Sequence, residues 1–490
     1  MTGRSLIALL PRVAIVLLCA ALFAMLLQRD HLVKPLEQRE TSALKRSREE
    51  SFLGVYFNNQ RIGYVKNQLL PASPNGYTIN QEAFLRLNIL NQIHPLTMRI
   101  TSGVSDSYQL RHFDFTLDSP FSHMAATGRV EGNTIRLEIT TGKETTSDTI
   151  RLERPPYLST NMRSYLLTGK PQKGDKIRVP YFDPVSLAGK DTVMEYRGLD
   201  KILVRGRVFN LHHFVETFAG LRINSWLDDD GKVVREESPA GFVFIAEPEF
   251  KATDIGDAPP GELLRAVSAP LTGTMPDLAR VRQIRYRLTL PEGIDFDLDR
   301  DRQELHGTIL TVHREALPGA DAGACAGPAE ELASTPYVQA GNKRIIDLAT
   351  GLVAKTPSAL ARVRILSQWV YDNIDKRPVL GIPDALSTLE NRRGDCNEHA
   401  ALFAALARSV GIPCRIVAGV TLQAGAFYYH AWNEVCLDGH WLSLDTTRNQ
   451  IPADLSHIKF VQGETEAMIK ITGLIGKLAI EVLPEGEKRQ

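Results

Sequence analysis

Three side chains in the last third of the sequence have the types and order of an acyl-transfer site. Cys396 lies in the segment 394–414, GDCNEHAALFAALARSVGIPC. A thiolate attacks carbonyl carbon well, but it needs a base to manage its proton, and that base needs a third group to orient it. His430 and Asp445 follow within YYHAWNEVCL (428–437) and the return segment His440 to Asp445. In such a set the imidazole takes or holds the thiol proton. The carboxylate fixes its tautomer and stabilises its cationic form. The chemistry would be attack on an amide carbonyl through a thioester. The backbone N–H of Cys396 would serve as one oxyanion donor. The acyl group then passes to water or to an amine.

Local patterns say which elements must carry these groups. Asp395 followed by Glu398 is a capping box. An Ala- and Leu-rich helix former follows, and Gly411 with Pro413 ends the helix. Cys396 is then the first helical residue, where the helix dipole and free N–H groups favour the thiolate and lower its pKa. Residues 428–437 read as a strand, Asp438-Gly439 as a two-residue turn, and 440–445 as the return strand. Period 2 puts His430, Trp432, Glu434 and Cys436 on one face. The two-residue loop pairs Leu437 with His440 and, further along, Trp432 with Asp445. This leaves Asp445 diagonal to His430 on the same face, roughly 7–8 Å away between backbones. His399, one turn after Cys396, is a rival base that nothing orients. It reads better as a neighbour of the thiol or as a substrate contact. Trp432 either lines the cleft or packs in the core. None of these spacings matches a zinc pattern, and a metal on the thiolate would remove the nucleophile. The sequence therefore implies no metal and no cofactor.

The run G-D-C-N-E-H-A-x-L-x-x-A-L-A-R-x-x-G-I-P, then H-A-W-N-E-V, then W-L-S-L-D-T-T strongly resembles the transglutaminase-like superfamily of papain-like cysteine enzymes, over about Tyr337 to Gly463. The resemblance implies a triad of Cys396, His430 and Asp445. Two positions depart from the family's habit: Cys414, where Ala is common, and Thr446, where many members have Pro. Neither removes a catalytic group. Cys414 and Cys436 read as two buried thiols, with a Cys414–Cys436 disulfide as the alternative. Peptide or amide hydrolysis is the expected outcome. Cross-linking to an amine is the alternative within the enzyme class, and a non-catalytic binding module on the same fold is the alternative outside it.

The rest of the chain must hold this site. Residues 1–30 carry an apolar run, Val13 to Leu27, preceded by Arg4 and Arg12. This predicts an uncleaved signal anchor, with a cleaved signal peptide or a buried helix as alternatives. It would leave the body outside the cytoplasm, in a bacterial periplasm. Residues 31–50 read as a polar linker. Residues 51–258 alternate as an antiparallel β domain, clearest at Ile135, Leu137 and Ile139, and at the hairpin Arg222 to Trp226 and Lys232 to Glu236. Its W-x-D-x-x-G-K turn resembles curved-sheet domains of bacterial envelope proteins. His212 and His213 read as strand residues rather than ligands. Residues 259–336 add strands and an Ala/Gly/Pro-rich linker holding Cys325, to which no role falls. Residues 337–490 form the catalytic domain, with a helix expected from an N-cap at Thr356 through Leu360, Val363, Leu366, Val370 and Ile374. The fold class is α+β.

The chain has 490 residues, with 57 basic against 57 acidic side chains, so nothing suggests a nucleic-acid partner. The expected partners are a protein or peptide substrate and, through the N-terminal segment, the membrane. Five cysteines are too few for a disulfide scaffold.

Overall fold

The computed structural model describes residues 33–35 and 50–484, apart from 73–74, 121, 142–143, 159–162, 164, 185–186, 205, 219–220 and 257–259. The apolar run at 13–27 lies outside these residues. Among the described residues no helix is long and apolar enough to cross a membrane.

Residues 33–247 build one large sheet, almost wholly antiparallel. Its strands follow one another as hairpins from Gln60 to Arg151 and again from Lys176 to Glu247. The strand Phe242–Glu247 pairs with Glu50–Phe57 and joins the two runs. Ile135, Leu137 and Ile139 are buried while Arg136 and Glu138 are exposed, as a half-buried strand requires. The sheet curls on itself, so that Phe113 meets Phe182 with ring centroids 5.1 Å apart. Three strands of the second run matter below: β1 (Arg207–Phe218), β2 (Leu221–Leu227) and β3 (Val233–Glu237). The β2–β3 hairpin turns through Gly231 at φ +77°, and Asp228 accepts the backbone N–H groups of Asp230 and Lys232. His212 and His213 sit in β1, bonded to Tyr196, Asp200, Asn224 and Asp229.

The second sheet carries the candidate site. Four of its strands are β4 (Cys414–Gln423), β5 (Ala426–Leu437), β6 (His440–Leu444) and β7 (Ile458–Gln462). The helix α3 (Cys396–Ser409) packs against it, and α1 (Lys343–Val353) and α2 (Ala359–Asn373) pack on α3. The strands between 269 and 313 hydrogen-bond into this same sheet. Ala269–Thr272 pairs with both β5 and Ala479–Val482, and the latter pairs with Gln283–Thr289. One apolar core therefore spans residues 269–482. In α2 the cap is Ser358, two residues later than Thr356; its hydroxyl accepts the Ala361 N–H. Leu360, Val363, Leu366, Val370 and Ile374 are all buried as the spacing requires.

Cys325 departs from expectation. It is disulfide-bonded to Cys436 across a sequence separation of 111. The Ala/Gly/Pro stretch around it lies along the tip of the β5–β6 hairpin, with Gly323 and Asp438 exchanging backbone and side-chain hydrogen bonds. Cys414 is instead a buried free thiol. Period 2 had placed Cys436 correctly on its face, but its partner comes from a segment too distant for local patterns to register.

Closing so long a loop restrains the unfolded chain strongly. Cys325→Ser should lower unfolding free energy by roughly 2–5 kcal/mol. Reductant should reproduce that loss in the wild-type chain and do nothing further to the variant. Urea denaturation with and without dithiothreitol checks this.

Candidate active site

The capping box at the start of α3 is complete: Asp395 accepts the Asn397 N–H at 2.9 Å, and Glu398 accepts the Asp395 N–H at 2.8 Å. Gly394 makes room for it, since a Cβ there would lie 2.2 Å from the Glu398 Cβ. Cys396 is thus the first residue of α3. The helix docks on the face of β5 that carries the odd-numbered residues, where Asn433 donates to the Ala400 carbonyl at 3.0 Å. The same docking brings the Cys396 sulfur to the backbone N–H of Ala431, next to His430, and that N–H lowers the thiol pKa.

The β5–β6 register follows the turn from Leu437 opposite His440 to Asn433 opposite Leu444, but the ladder stops before the expected Trp432–Asp445 pair, because the Asp445 backbone bridges Gln450 instead. His430 Nε2 lies 2.8 Å from Asp445 Oδ2. Asp445 is fully buried, and its Oδ1 accepts the backbone N–H groups of Thr447 and Arg448 at 2.8 and 3.1 Å. Its Oδ2 takes a second imidazole, His457 Nε2, at 3.1 Å. His457 is itself buried and tied through Nδ1 to Asp454 at 3.0 Å.

His457 had no signal in the sequence. It lies beyond the hairpin, at the start of β7, and reaches Asp445 through chain geometry. β7 runs beside β4 at Gly419, where a Cβ would lie 1.8 Å from the Ile458 carbonyl oxygen. Only glycine permits that approach. Arg302, from the segment before the helices, donates to the carbonyls of Ala453, Asp454 and His457 at 2.6–3.0 Å and so holds the loop that carries His457.

Trp432 resolves to the core. It is 1% exposed, wedged against Val417 and Ala453, with its ring stacked on His430 and edge-on to His457. His399 is fully buried, with Nδ1 2.7 Å from the Asp395 carbonyl; its Nε2 has no hydrogen-bond partner. Burial therefore removes it from solvent, within the first turn of α3. Glu434, on the His430 face, is engaged by Arg415 at 2.5 Å and Lys459 at 3.0 Å.

The electrostatics of the thiol run against the sequence expectation. Burial raises the Cys396 pKa well above the usual thiol range, and the charges of Asp395, Glu398 and Asp445 add to it. The Ala431 N–H opposes them. Burial is the largest of these effects, and the acidic cap Asp395 adds to it. Burial also holds His430 below its ordinary value, against the hydrogen bond and charge of Asp445. For Asp445, burial is overcome by the hydrogen bonds and charges of His430 and His457, and the carboxyl stays far below the carboxylate range. The resting site is therefore a neutral thiol, a neutral His430 and an ionised Asp445. Among the described residues no hydrogen bond joins Cys396 to His430. The donor atoms of His430, Asp445 and His457 lie within 4.8 Å of one another, close enough to share a metal ion. The two hydrogen bonds to Oδ2 account for that spacing without one.

Both depressed pKa values act in one direction. At acid pH the unfolded chain binds more protons than the native one, so stability rises with pH. The His430 contribution is complete above about pH 6.5 and falls away below it. The Asp445 contribution is complete above about pH 4 and falls away as pH drops further. Urea midpoints between pH 7 and 3.5 should fall, and Asp445→Asn should flatten the lower part of the decline. An unchanged slope in that variant would count against the buried charge.

Residues 346–446 match the transglutaminase-like superfamily model, a span that holds Cys396, His430 and Asp445 but stops before His457. Kyphoscoliosis peptidase of Mus musculus is 28% identical over 131 residues, 23% of this chain and 19% of that protein. Its Homo sapiens counterpart is 28% identical over 118 residues, 21% of this chain and 17% of that protein. The chain thus spans about a fifth of the length of these curated relatives. Among solved structures, a candidate cysteine protease from Cytophaga hutchinsonii aligns at 17% identity over 44% of this chain and 82% of its own, TM-score 0.28. A β-barrel-like protein of a domain of unknown function from Brucella abortus aligns at 13% identity over 40% of this chain and 94% of its own, TM-score 0.32. Residues 346–446 are thus similar to the transglutaminase-like superfamily.

Proposed function

We propose that this domain is a thiol acyl-transferase acting on peptide or carboxamide bonds, with Cys396 as nucleophile, His430 as base and Asp445 as its orienter, and with water as the usual acceptor. The observation that carries this reading is the His430–Asp445 hydrogen bond beside a capped helix start that presents Cys396 at Ala431. With Nε2–H committed to Asp445, Nδ1 is the ring nitrogen left to accept the thiol proton. The resting thiol is neutral, so the nucleophile forms by proton transfer to His430 as substrate enters, without a standing ion pair. Such contacts commonly tighten only in the substrate complex. The imidazolium, held by Asp445, then returns its proton to the leaving amine. This yields a Cys396 thioester that water hydrolyses.

We also propose an oxidising compartment outside the cytoplasm, with the body anchored by the N-terminal segment. The Cys325–Cys436 disulfide and the apolar run at 13–27 support that placement.

The test is to incubate the full chain with a casein digest, quench in acid and search Cys396 for a thioester by mass spectrometry. Asp445→Asn should lower turnover roughly 10²–10⁴-fold with the fold intact, and Cys396→Ala should abolish it. A labelled primary amine in the mixture reports cross-linking if it enters the product. Amide cleavage that persists in Cys396→Ala overturns the assignment.

A further inference from the structure

The β domain holds a polar cluster that the candidate active site does not use. A cavity of about 290 Å³ opens inside the curled sheet. Apolar side chains form much of its wall: Ala83, Met98, Ile100, Phe115 and Ile223. Met98, Ile100 and Ile223 are only half-buried, so the cavity reaches the surface on that side. Charges taken out of water line it as well. Arg163 is 3% exposed in its side chain, ion-paired to Glu236 at 2.9 Å and bonded to Ser225 at 2.8 Å. Glu236 accepts the Ser225 hydroxyl at 2.7 Å as well.

Glu216, from β1, is the member left over. It is 4% exposed and faces the cavity, and its nearest cation is Arg163 at 3.9 Å, beyond hydrogen-bond range. Among the described residues it accepts no hydrogen bond. The nearby Tyr165 and Tyr181 hydroxyls are bonded to each other at 2.7 Å. Buried carboxylates are ordinarily paired or hydrogen-bonded, because leaving one bare costs more than a hydrogen bond returns. The charge count points the same way: among the described residues, one cation, Arg163, faces the two carboxyl groups of Glu216 and Glu236.

We propose that this cavity binds a small organic cation, its primary ammonium seated on Glu216 and its apolar body lying along Met98, Ile100 and Ile223. A compact ammonium offers the donors that Glu216 lacks and neutralises the excess negative charge, while the apolar wall accepts a short hydrocarbon chain. Burial has pushed the Glu216 carboxyl up to about 7, against Arg163 and with Glu236. Seating a cation there holds it ionised. This site is independent of the acyl-transfer chemistry.

Hexylammonium chloride is the probe, titrated by calorimetry into the full chain carrying Cys396→Ala so that no thiol chemistry contributes. Saturable one-to-one binding is expected, with no binding of hexanoate or hexanol. Glu216→Gln should weaken it about tenfold or more, the loss of a charged hydrogen bond. Met98→Trp, which fills the cavity and leaves the charges in place, should weaken it too. A folded Glu216→Gln chain that binds hexylammonium as tightly as its parent overturns the proposal, as does hexanoate binding equally well or an absence of amine binding.

Discussion

The C-terminal domain is organised around one buried negative charge. Asp445 is fully buried yet ionised, and it stays so because four N–H donors point at it: two imidazoles on Oδ2 and two backbone amides on Oδ1. An ion moved from water into a protein interior carries an effective penalty of several kcal/mol. Hydrogen bonds to a charged group return about 1.5–3 kcal/mol each, so four of them offset that penalty where one or two would not. The donors must therefore be held in place, and the surrounding structure holds them. The β5–β6 turn brings His430, and the loop after Asp445 folds back to offer Thr447 and Arg448. The close approach of β7 at Gly419 brings His457.

That arrangement depends on residues far away in sequence. Arg302 fixes the loop carrying His457 through three carbonyls, and Glu315 holds the β6 strand by accepting the Ser443 N–H at 3.0 Å. The Cys325–Cys436 bond pins the hairpin tip. The strands before the helices are thus not a spacer leading to the site. They share its sheet, and their side chains set the backbone from which His457 reaches Asp445. Asp445, held from both sides, in turn fixes the ring of His430.

The thiol shows how one device can serve two opposed ends. A capping box stabilises the start of α3 and so fixes where Cys396 stands. Burial of the sulfur, with the nearby charge of Asp395, raises the thiol pKa. Position is secured while the thiol pKa stays raised. In the β domain the same electrostatic logic has a different outcome. There the buried carboxylate of Glu216 lacks its donors, and its surroundings are a cavity with an apolar wall.

The short-range rules decided a good deal without any structure. The capping box, the Asp438-Gly439 turn and period 2 each act over a few residues, and a two-residue loop leaves one register. His430 and Asp445 could be paired by counting, and Cys396 placed at a helix start. The alternation of Ile135, Leu137 and Ile139 likewise marked the β domain. Tertiary structure alone decided what depends on closing long loops. His457 reaches Asp445 across a sheet edge, Cys325 finds Cys436 over a separation of 111, and Arg302 binds carbonyls some 150 residues on. The fates of Trp432 and His399, core and not cleft, and the protonation of Cys396 belong there too. Burial and the sum of surrounding charges are properties of the packed chain, and no spacing along the sequence contains them.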